Sequence, residues 1–103
     1  MKILKTRKFI IFACHDADDI NTFKKMDSKL YASTKASSVI MDEATTAFFF
    51  VGKKQREANG YITISKGSET DAANVQVHAS PVVAAKHLEQ ILTKATEWNH
   101  NNA

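Results

Sequence analysis

A chain of 103 residues has room for one hydrophobic core, and 44% apolar with 24% charged residues is the balance of a globular domain. One proline and three glycines argue against low complexity, and a formal charge of +3 is too mild to declare a polyanionic partner by itself. The single cysteine, Cys14, excludes an intrachain disulfide and fits a reducing, cytoplasmic setting.

Residues 1–8 carry Lys2, Lys5, Arg7 and Lys8 and read as a flexible basic tail, with residues 1–7 outside the ordered domain. The apolar run that follows, 9–14, is shorter than the roughly 7–15 residues of a secretory core segment and far too short to span a membrane. It reads instead as a strand. Phe9, Ile11 and Ala13 point one way, Ile10, Phe12 and Cys14 the other, so both faces are apolar and both need cover.

Asp16 then opens a helix. It can cap the first free amides, and Asp18 and Asp19 fall in the first turn, where negative charge meets the positive end of the dipole. Ile20, Phe23, Met26 and Leu30 follow at helical spacing, and the helix should fade across 33–38, where hydroxyls compete for backbone bonds. Asp27 breaks the pattern by projecting into the apolar stripe. Either it serves as a ligand or catalytic acid, or the helix tilts or ends early and leaves it wet.

A weak strand at 39–41 and a turn at 42–45 lead to a strong strand at 46–51 (TAFFFV), apolar on both sides. Residues 53–60 form a polar connection ending in the turn pair Asn59-Gly60. Two alternating strands follow at 61–65 and 75–79, with Ile62, Ile64, Val75 and Val77 on the apolar face. Ser80-Pro81 offers an N-cap and a first-turn proline for a last helix reaching about Trp98, whose stripe is Ala84, Leu88, Ile91, Ala95 and Trp98. Residues 99–103 have no apolar anchor and are expected to be flexible.

The chemistry-bearing residues do not assemble into a known motif. Cys14-His15-Asp16 sits where a strand hands over to a helix, but neighbours on a strand point apart and nearby carboxylates would raise a thiol pKa, so Cys14 is expected to be inert. Asp16, Asp18 and Asp19 miss the EF-hand pattern, because the sixth and twelfth positions hold Asn21 and Asp27. His78-Ala79-Ser80 fits the H-x-S element of two-histidine phosphoesterases but has no second copy. The four histidines lack zinc spacing, and Gly52-Lys53-Lys54 is not a phosphate loop. No metal, cofactor or catalytic set is therefore expected.

These readings combine into a single α+β domain over 1–103. It has two layers, a mostly antiparallel sheet of four or five strands with helices packed on it, in the order β-α-β-β-β-β-α. The favoured function is a non-catalytic interaction module working through protein contacts, most simply as a homodimer, because the strands at 9–14 and 46–51 have more apolar surface than the helices can cover. The alternative is a nucleic-acid binder using Lys53, Lys54 and Arg56 with the basic N-terminus. A third reading is a small hydrolase using His15, Asp16 and His78, with His15 and Asp16 also counted among the binding candidates. No membrane association is expected.

Overall fold

A computed structural model describes residues 1–35, 43–54, 59–67 and 73–102. The chain opens on strands β1 (Lys2–Lys5) and β2 (Phe9–Cys14), followed by helices α1 (Ala17–Met26) and α2 (Ser28–Ser33). Strands β3 (Thr45–Gly52), β4 (Asn59–Ser65) and β5 (Asn74–Ala79) complete the sheet, and α3 (Ala85–Asn102) closes the chain. The sheet is a five-stranded antiparallel meander in the order β1-β2-β3-β4-β5. The α+β class holds, while the element order becomes β-β-α-α-β-β-β-α.

The first difference is β1. Four cations in eight residues conceal the Ile3-Leu4 pair, yet Leu4 is buried and lies opposite Ile11, and Ile3 lies opposite Phe12. The hairpin turn is tied by Thr6 N–H donating to the Phe9 carbonyl at 2.9 Å and by Phe9 N–H donating to Thr6 Oγ1 at 3.0 Å. The expected strand at 39–41 lies outside the described residues.

Asp16 caps α1 as expected, its Oδ1 accepting from Asp19 N–H at 2.9 Å. The predicted single helix is two. Asp27 has extended backbone (φ −156°, ψ 95°), its N–H bonds the Phe23 carbonyl at 3.1 Å, and its Oδ1 accepts from Leu30 N–H at 3.0 Å. One residue thus ends α1 and caps α2. The carboxylate that breaks the apolar stripe is where the helix breaks.

Asn59 and Gly60 are not a turn pair but the first residues of β4, with Gly60 paired to Phe50 on one side and Ala79 on the other. The last helix starts later than Pro81. Val83 N–H donates to the Ser80 carbonyl at 3.0 Å, closing a turn with Pro81 at its second position, where its fixed φ fits. Ala84 then accepts from His87 and Leu88 N–H groups at 2.9 and 3.1 Å to begin α3, which continues through the 99–102 segment predicted to be loose.

Helices lie on both faces, so there are three layers where two were expected. On one face Ile11, Ala13, Phe48, Phe50 and Ile62 pack with Ile91 and Ala95 of α3. On the other Phe12, Cys14, Phe49, Val51 and Tyr61 pack with Phe23 of α1, flanked by Leu30 and Tyr31 of α2. Phe23 stacks on Phe12 at 4.2 Å between ring centroids and lies 5.5 Å from Phe49. Each fully buried Phe or Ile contributes roughly 1.5–3 kcal/mol, and the alternation of β2 and β3 divides that gain between two cores.

Cover stops at β4. Periodicity predicts Val75 and Val77 under α3, but they remain 41% and 44% exposed, because the helix spans β2, β3 and β4 and does not reach the edge. Among the described residues no helix is long and apolar enough to cross a membrane.

Candidate functional site

A cavity of about 460 Å³ lies where the β1–β2 turn, the end of β3 and the start of α3 meet. The antiparallel pairing sets Phe9 opposite Gly52, so the residues just before one and just after the other are neighbours. Lys53 N–H donates to the Lys8 carbonyl at 2.8 Å and locks that adjacency. Arg7, Lys8, Lys53 and Lys54 all line the cavity, as does His87 from the first turns of α3. Phe9 is buried beneath it, its ring 5.6 Å from the His87 imidazole and edge-on to Phe50 at 5.9 Å. The His87 pKa is pushed below its ordinary value, first by partial loss of solvent and then by the charges of Lys8 and Lys86.

Two basic clusters that stand 45 residues apart in sequence, Lys8 and Lys53 marking them, are therefore one patch. Arg56 lies outside the described residues. His87 carried no signal in sequence beyond its place on the shoulder of a helix. Aligning the two apolar strands head to tail would have exposed the meeting of Lys8 with Lys53.

The other candidates do not converge. His15 is exposed, with Nδ1 3.1 Å from Thr46 Oγ1 in hydrogen-bond contact and its ring 4.9 Å from Trp98 on the α3 face. His78 stacks on Tyr61 at 4.6 Å, and Tyr61 belongs to the core under α1 and α2. The two histidines thus work on opposite faces, and Asp16 is engaged as the α1 cap. A smaller cavity of about 290 Å³ beside His78 also contains Asn59, a buried residue whose Oδ1 has no hydrogen-bond partner.

No protein family, curated protein or solved structure matches this chain.

Cys14 is fully buried, and its thiol pKa is pushed up to about 12 by burial and then by Asp19. Asp19 itself accepts the His15 N–H at 2.9 Å and pairs with the Met1 ammonium at 2.6 Å. These contacts tie the end of β2 and the N-terminus to α1. Among the described residues no group of three His, Cys, Asp or Glu side chains could hold a metal ion.

Proposed function

We propose that the chain is a non-catalytic interaction module that joins a second copy of itself along β5, extending one sheet into another. The observation that carries this reading is the contrast between the two sheet edges. β1 is four residues long with Lys2 and Lys5 at its ends, the charged, short edge that resists pairing. β5 is six residues, NVQVHA, with no lysine, no proline and every residue exposed. Every second residue of such an edge turns its N–H and C=O outward.

The ground for association shifts from the one the sequence suggested. Helices cover both sides of β2 and β3, so no phenylalanine face is left open. On the α3 side of the sheet Val75 and Val77 stay open and continue the face of Ile64 and Ile62 beyond the helix. Antiparallel pairing of β5 with its own copy about a two-fold axis would satisfy the outward backbone groups and set the valines side by side.

Sedimentation equilibrium tests this. The expected species is twice the 11.4 kDa chain mass, reverting to one chain in a Val75→Lys, Val77→Lys variant with an unchanged far-UV spectrum. A wild-type chain that stays monomeric across a wide concentration range overturns the proposal.

A further inference from the structure

We infer that the cavity between the β1–β2 turn, the end of β3 and the start of α3 binds the phosphate group of a small phosphorylated molecule with an apolar or ring portion. The inference stands apart from association through β5. Arg7 and Lys8 come from one turn, Lys53 and Lys54 from the end of a different strand, and among the described residues that line the space between them there is no carboxylate. Like charges gathered around one cavity repel one another, and a bound anion relieves that repulsion.

The arrangement is built rather than loose. The Lys53-to-Lys8 backbone hydrogen bond and the Thr6–Phe9 turn bonds fix where the basic side chains start. The 18-residue α3 begins at the same place, with Ala84 on the cavity wall, so the positive end of its dipole adds to the cationic field.

Shape selects the ligand size. A volume of about 460 Å³ lies within the roughly 300–1,000 Å³ of small-molecule sites. Phe9 supplies an apolar base, and Val82, 65% exposed, supplies an apolar wall for the part of the ligand that is not phosphate. A nucleic-acid strand would need a track of contacts, about 6–10 phosphates for strong salt-dependent binding, whereas the described cations Arg7, Lys8, Lys53 and Lys54 gather around one cavity.

The test uses the full chain and ADP as the probe, with adenosine, inorganic phosphate and an oligothymidylate as comparisons, followed by amide and histidine NMR at physiological salt. ADP is expected to shift the Gly52, Lys53, Ala84 and His87 signals and to raise the His87 pKa toward or above its ordinary value, against the opposing charges of Arg7, Lys8, Lys53, Lys54 and Lys86. Inorganic phosphate should shift the same signals more weakly, and adenosine should leave them still. A Lys8→Gln, Lys53→Gln variant should bind ADP at least tenfold more weakly, while Lys24→Gln, Lys25→Gln on α1 should bind as wild type. Absence of ADP shifts, shifts spread over all lysines, or equal binding by both variants overturns the inference. So does tight oligothymidylate binding with ADP silent, which would assign the patch to nucleic acid instead. The Val75→Lys, Val77→Lys variant should keep ADP binding, which separates this result from the fate of the β5 proposal.

Discussion

Replacing Gly60 by alanine should loosen the edge of the sheet from within. A Cβ on Gly60 would overlap the His78 carbonyl oxygen and come within 2.8 Å of both Ala79 Cα and Phe50 Cζ. Two of these three atoms are main chain of β5, so no rotamer change clears them, and the third is the end of a ring that is itself fully buried. Overpacking a tight site costs about 1–3 kcal/mol, and an obstacle made of backbone belongs at the upper end. Against this, removing a glycine from a strand gains roughly 0.5–1 kcal/mol of backbone entropy. The clash wins, leaving about 2 kcal/mol of destabilisation. At roughly 4–8 °C per kcal/mol for a domain of this size, the melting temperature should fall by about 8–16 °C. Thermal unfolding followed by circular dichroism measures it directly. A Gly60→Ala protein melting within about 2 °C of wild type would refute the close approach of β4 and β5 on which the argument depends.

The α3 face gives a graded pair of substitutions. Ile91 is fully buried, so Ile91→Ala should cost about 2–5 kcal/mol, whereas Leu88, only partly buried against the same core, should lose less when truncated; urea titrations that rank them the other way would contradict the placement of α3. Cys14 should be chemically quiet. With its thiol pKa pushed up to about 12 and no exposed surface, it should react with a water-soluble disulfide reagent at pH 8 only after denaturant is added, and rapid stoichiometric labelling of the native protein would show that the site is open.

What could be read from the residues followed from how local the signal was. The strands of β2 to β5 were legible because each is bounded by polar or turn-forming residues, and the apolar runs announced themselves. β1 was not, because its two apolar residues sit among lysines and gain their burial only by pairing with β2. The break at Asp27 was visible as a misplaced carboxylate, though its role as a cap depends on a backbone kink that periodicity assumes away. The late start of α3 turns on Pro81, which suits the second position of a turn as well as the first position of a helix. For the candidate site, Lys53 and Lys54 were picked out with the basic N-terminus, but their convergence is a property of strand pairing across 30 intervening residues, from Cys14 to Thr45. His15, Asp16 and His78 were chosen for their chemistry, and their separation follows from which face each strand position occupies.

The two-sided apolarity of β2 and β3 has a cost in information. Where one face of a strand is wet, a slip of one residue exposes its core and is forbidden by polarity. Here a slipped β2 would present Ile10, Phe12 and Cys14 where Phe9, Ile11 and Ala13 now sit, and both sets are content to be buried. Polarity is therefore mute, and alignment must be written elsewhere. It is written in size, where Gly60 alone leaves room beside Phe50 and a shifted Asn59 or Tyr61 would not. It is also written at the strand ends, where Lys53 bonds Lys8 and Lys66 bonds the Ala44 carbonyl at 2.7 Å. The phenylalanines supply most of the burial but little of the addressing, so exchanges among large apolar residues in β3 should be forgiven more readily than one added methyl group on a glycine.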